Sequence, residues 1–83
     1  MNTIQETPYQ IALRICPPLK NGTWVKYVSE IPGNTGEIIG HGGVYVEHNV
    51  FQHWVYTIVP YGMRSDGQIT FTIERPEAEV EVL

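Results

Sequence analysis

The stretch NTGEIIGHGGVYVEHNVFQHWVYTIV, residues 34–59, decides how this chain folds. Three histidines (His41, His48 and His53) and four glycines (Gly36, Gly40, Gly42 and Gly43) stand there among β-branched and aromatic residues. A metal-site reading competes with one of strand, loop and returning strand. A zinc or iron site needs three convergent ligands, usually completed by a carboxylate or solvent. If residues 44–47 pair with residues 50–54, His48 falls at a hairpin tip, His53 along the returning strand, and His41 beyond the Gly42-Gly43 bend. At roughly 3.3 Å per residue His48 then lies on the order of 10 Å or more from His53, so no metal is assigned. His41 and His53 alone retain the option of facing each other and titrating together near neutral pH. Gly40-His41-Gly42-Gly43 lacks the lysine and the helix of a phosphate loop, and no βαβ unit surrounds it, so the glycines read as a bend or bulge.

Outward from this stretch, period-two alternation recurs. Residues 53–59 are the strongest strand, with Trp54, Tyr56 and Ile58 on one side and Val55, Thr57 and Val59 on the other. Residues 20–23 form an Asn-Gly turn that launches a strand over residues 24–28, and residues 31–34 are a Pro-Gly loop. Residues 40–52 are expected as a long aromatic loop between the second and third strands. Residues 60–67 are a loop closing on Asp66-Gly67, and residues 68–73 alternate again, with Ile69, Phe71 and Ile73 on one face. A short turn at residues 75–78 leads to a last strand in which Val80 and Val82 alternate with glutamates. Residues 9–16 place Tyr9, Ile11, Leu13 and Ile15 on one face at strand spacing; a helix is the competitor, and Pro17-Pro18 stops either element. Ile38, Val55 and Phe71 are the expected interior residues.

Composition narrows the function classes. With 83 residues the chain is a single domain, residues 1–83, with a loose arm at residues 1–8 and a barrel-like region over residues 20–83. The nine aromatics must supply much of so small a core. Cys16 is the single cysteine, which excludes an intramolecular disulfide and reads as a packed small hydrophobe. Neither a signal peptide nor a membrane span is expected, so the cytosol is the default location and Asn21-Gly22-Thr23 is turn chemistry rather than a glycosylation site. The net charge is −4, and Lys20, Lys26, Arg14, Arg64 and Arg75 make no basic run, so the footprint of a phosphate-backbone binder is missing. Glu77, Glu79 and Glu81 read as a solvated strand face.

The run Gly22-Thr-Trp-Val-Lys-Tyr-Val28, then Gly33-Asn-Thr-Gly-Glu-Ile-Ile-Gly40, then Trp54-Val-Tyr-Thr-Ile-Val59 and a final strand after Pro76-Glu77 resembles the SH3-like small barrels. Such barrels include the C-terminal half of nitrile hydratase β subunits, the variable chain of ferredoxin-thioredoxin reductase and small photosynthetic accessory subunits. The resemblance implies an all-β fold: a small barrel of five or six short antiparallel strands with no substantial helix. It also implies a docking or accessory role, with no catalytic residue to carry over.

The expected function is therefore a non-catalytic protein-interaction or accessory-subunit module without cofactor or metal. It docks onto a larger protein through a patch presented by its aromatic loop, which includes Tyr45, Phe51, Trp54 and Tyr61. A homo-oligomer is compatible with this reading. The alternatives are a single-stranded nucleic-acid-binding barrel, which the charge opposes, and a metal protein built on the histidines.

Overall fold

The computed structural model describes residues 5–30 and 34–83; part of the expected arm (residues 1–4) and most of the 31–34 loop lie outside them. Helix α1 spans Pro8–Ile15. Strands β1 (Trp24–Tyr27), β2 (Thr35–Val46), β3 (Val50–Pro60), β6 (Ile73–Pro76) and β7 (Val80–Val82) form one antiparallel sheet in the order β6-β3-β2-β1-β7. A separate two-stranded ribbon pairs β4 (Arg64–Ser65) with β5 (Gln68–Ile69).

The connectivity forces the sheet to curl. Its two edge strands, β6 and β7, are joined only by the 3-10 turn Glu77–Glu79. In a flat five-stranded sheet the edges would stand about 19 Å apart at roughly 4.8 Å per strand, whereas a 3-10 turn advances only about 2 Å per residue. Hydrogen bonds from both edges meet at Val28: its N–H donates to Glu79 O at 3.0 Å, and its carbonyl accepts from Arg75 Nε at 2.9 Å. The Arg75 guanidinium also lies over the Tyr27 ring, 5.8 Å from its centroid. The concave face buries Val25, Tyr27, Ile38, Trp54, Tyr56 and Ile58 in one cluster with Ala12 of the helix.

Two bulges set which side chains reach that face. Ile39 is the extra residue of β2 between the pairs Ile38↔Ile58 and Gly40↔Thr57. Gln52 is the extra residue of β3 between Val44↔His53 and Tyr45↔Phe51. Each reverses the alternation beyond it, which brings His41 and Phe51 to the side of Trp54. Residues 40–52 are thus not a long loop but the outer half of a β2–β3 hairpin. It closes at Glu47–Asn49, where His48 and Asn49 take positive φ (62° and 59°), a conformation that His and Asn adopt more readily than most residues.

The strand expected over residues 9–16 is instead helix α1, for a local reason. The Thr7 side chain accepts from Gln10 N at 3.1 Å while Gln10 Oε1 accepts from Thr7 N at 2.8 Å, a reciprocal capping box with Pro8 in the first turn. Ala12 is its buried residue, whereas Ile11 and Ile15 are exposed. The period-two spacing of Ile11, Leu13 and Ile15 therefore marks no strand face. Cys16, expected to be packed, is exposed; its carbonyl rather than its thiol is the structural group, accepting from Trp54 Nε1 at 2.6 Å.

Of the three expected interior residues, Ile38 is fully buried, Val55 is half-buried and Phe71 is 54% exposed. Phe71 falls outside because β5 ends at Ile69 and β6 begins at Ile73, so the alternation over residues 68–73 is not one strand. Phe71→Ala is accordingly expected to change stability by less than about 0.5 kcal/mol, a difference that urea unfolding of the two proteins side by side would measure.

Candidate protein-interaction surface

The aromatic residues divide into a covered cluster and an exposed one. In the covered cluster the Trp54 ring is 1% exposed. His41 meets it edge-on (centroids 5.0 Å apart), Phe51 tilts against it (4.7 Å) and Tyr9 of α1 contacts it edge-on (5.9 Å). Tyr9 Oη and His41 Nε2 share a hydrogen bond at 2.9 Å. Tyr45 packs on Phe51 at 5.9 Å and lies over Gly43, where a Cβ would stand 2.6 Å from the tyrosine oxygen. The main-chain N–H of Trp54 donates to Glu77 Oε1 at 2.9 Å, tying the 3-10 turn to β3.

Tyr56 performs a second anchoring, since its hydroxyl accepts from Leu19 N at 3.0 Å and fixes the chain between α1 and β1. Burial pushes the Tyr56 hydroxyl pKa upward; the Leu19 N–H opposes this and the nearby Glu77 carboxylate adds to it. A raised tyrosine pKa means that the unfolded chain loses its proton first, so stability falls as pH rises from about 10 through the higher folded value. Urea midpoints measured from pH 8 to above 10 are expected to fall more steeply for the parent than for Tyr56→Phe, which has no proton to lose at this position.

The second cluster lies at the other end of β3. Along β1, Val25 and Tyr27 point inward, so Trp24 and Lys26 point outward. The chain leaves β3 after Pro60, and Tyr61 N donates to Thr35 O at 2.9 Å. That bond sets the Tyr61 ring beside Trp24, with centroids 6.5 Å apart and planes at 60°. Trp24 is 45% and Tyr61 76% exposed. They rim a shallow concavity of about 170 Å³ whose walls include Glu37, Val59, Pro60 and Met63. Arg64 Nη2 reaches Glu37 Oε1 at 2.9 Å, which ties the ribbon to β2 beside it.

The four aromatic residues expected to form one contact surface are thus divided. Trp54 is core because the β3 alternation turns it onto the concave face under α1, so its ring is not presented to a partner. Tyr45 and Phe51 are half-buried beside it, and only Tyr61 is open, about ten residues of strand from Phe51. Trp24 and Met63 join Tyr61 instead. The signal for Trp24 was Lys26, which shares its face at period two.

The histidines do not converge. His48 sits at the hairpin tip, His41 pairs with Tyr56 and faces Trp54, and His53 pairs with Val44 on the opposite face of the sheet. Among the described residues no group of three His, Cys, Asp or Glu side chains is placed to hold a metal ion. No helix among them is long and apolar enough to cross a membrane. In comparisons with protein families, curated proteins and solved structures, the chain matches none.

Proposed function

We propose that the protein is a non-catalytic protein-interaction module that binds through the exposed aromatic end of its sheet. The observation that carries this is the Trp24–Tyr61 pair: two large rings held against each other, with Met63 and Pro60 beside them, Trp24 45% and Tyr61 76% exposed. Tryptophan and tyrosine combine large contact area with few rotatable bonds, which makes them the commonest residues to dominate a protein interface. The strand order and the 3-10 turn between the last two strands support the resemblance to SH3-like accessory barrels, and with it the accessory role. The polar groups brought together elsewhere serve the fold: Tyr9 with His41, Glu77 with the Trp54 main chain, and Glu6 with Arg14.

The test is recovery of bound protein from the source cells with the parent and with Trp24→Ala/Tyr61→Ala. Because both rings are exposed, the double variant is expected to melt within a few degrees of the parent. A protein recovered in stable proportion with the parent and lost with the variant supports the reading. Equal recovery with both, or none with the parent, overturns it.

A further inference from the structure

We propose that Asn21–Gly22 is a self-modification site, a bond that deamidates through a cyclic imide at a rate set by how often the end of the β1–β2 pairing opens.

The chemistry is local. The main-chain nitrogen of the residue after an asparagine can attack the asparagine Cγ, losing its proton, forming a five-membered succinimide and expelling the side-chain nitrogen as ammonia. Water then opens the ring at either carbonyl. One opening leaves aspartate, and the other leaves isoaspartate, in which the main chain runs through the former side chain. Only water is consumed. A side chain on the attacking residue hinders ring closure, and a β-branched one hinders it most. Of the chain's asparagines, Asn2 and Asn34 precede threonine and Asn49 precedes valine, whereas Asn21 precedes glycine.

The surroundings leave this bond open to water. Asn21 and Gly22 are both exposed, and a Cβ built on Gly22 would meet nothing within 4 Å. What restrains the reaction is main-chain geometry. Thr23 N donates to Lys20 O at 3.1 Å and Gly22 takes a φ of 93°, the signature of a type II turn. Gly22 N is the nucleophile, and its N–H donates to Ile38 O at 2.7 Å, while Ile38 N donates to Thr23 O at 2.9 Å. To react, the nitrogen must give up its proton and swing onto Asn21 Cγ. The two bonds to Ile38 hold it pointed at β2 instead. Reaction therefore passes through a locally opened state in which both are broken, and the population of that state scales the rate.

The two products act differently on the fold. Aspartate changes only the charge at an exposed position. Isoaspartate adds a main-chain carbon before Gly22, so the turn can no longer close on Lys20 O and reach Ile38 O in the same register. The lesion fixes the opening that allowed it, and the bond becomes an irreversible record of opening at this end of the sheet.

Incubation of the full chain in warm, mildly alkaline buffer tests this, with the mass gain at each asparagine followed by peptide mapping. The samples are the folded parent, the parent unfolded in guanidinium chloride, and Val25→Ala in native buffer, which empties space behind β1 where Val25 is fully buried. Asn21 in the folded parent is expected to react at least about tenfold more slowly than in the unfolded chain. Val25→Ala is expected to react faster than the parent whether or not it stays folded. Equal rates in the folded and unfolded parent, or a Val25→Ala no faster than the parent, overturn the control by opening. An unfolded chain in which Asn21 reacts no faster than Asn34 overturns the site itself. The separated isoaspartate fraction is expected to melt earlier than the parent, whereas Asn21→Asp, with the same charge but no added carbon, is expected to melt within a few degrees of it. An isoaspartate fraction that melts with the parent would show that the lesion does not fix the opened state.

Discussion

Trp54→Ala is expected to lower the melting temperature by at least about 12 °C, since each kcal/mol is worth about 4–8 °C in a domain of this size. The ring is almost wholly buried and touches residues from three elements: Tyr9 of α1, His41 of β2 and Phe51 of its own strand. Truncating a buried tryptophan costs about 3–5 kcal/mol, against a total stability of about 4–12 kcal/mol for a domain of this length. The substitution also deletes the Nε1–H donated to Cys16 O, a side-chain bond that, with the one from Leu19 N to Tyr56 Oη, holds the segment after α1 to β3. Two variants separate the contributions. Trp54→Phe keeps an apolar ring but lacks the donor, so it is expected to fold with α1 loosened and with faster proteolysis before residue 20. Trp54→Ala is expected to lose part of the near-ultraviolet ellipticity and to melt far earlier than Trp54→Phe. A Trp54→Ala protein melting within a few degrees of the parent would contradict the core described above.

Gly36→Ala is expected to cost about 3 kcal/mol, the upper end of what overpacking does, and Gly36→Val more. Gly36 is buried in β2, between its partners Val25 of β1 and Pro60 of β3. A Cβ at this position would lie 2.5 Å from Ile58 Cγ2 and 2.6 Å from the main-chain oxygen of Val59. A side chain can rotate away, but the oxygen belongs to a strand paired on both sides, so relief requires the β2–β3 register to open. Gly42→Ala is the control. A Cβ at Gly42 meets nothing within 4 Å, and the substitution is expected to leave stability unchanged or raise it by up to about 1 kcal/mol through the unfolded chain. Urea midpoints of the three proteins measure the contrast, and equal midpoints for Gly36→Ala and Gly42→Ala would refute the close approach.

The contrast between these glycines shows where sequence reading stops. Both stand among strand-forming residues, and nothing in the neighbouring letters tells that one lies against a main-chain oxygen and the other against open space. Gly40 to Gly43 were legible as a bend or bulge, but the bulge residue is Ile39. Its position could not be read because a bulge is a mismatch between two strands rather than a property of one.

Local physics did determine much of the fold. Asn21-Gly22 and Asp66-Gly67 are turns because glycine tolerates positive φ, and Gly22 and Gly67 take it (93° and 77°). Alternation placed Trp54, Tyr56 and Ile58 on one face, and the run of such segments implied an antiparallel all-β sheet. Helix α1 is also spelled locally, since Thr7-Pro8-Tyr9-Gln10 carries its capping box, although residues 9–15 show the period-two apolar spacing of a strand.

Only the tertiary structure decided which aromatics were core and which surface. Trp24 and Trp54 each begin a strand-like run of apolar residues, yet one is under a helix and the other open. The difference arises because α1 packs on β3 through Tyr9 and Ala12, with the Cys16 carbonyl just after it, while on the outer face of β1 Trp24 meets the Tyr61 ring and stays 45% exposed. Burial is a property of what lies opposite a side chain, and in this molecule the covering element comes from a distant part of the chain, 38 residues away at the Cys16–Trp54 hydrogen bond.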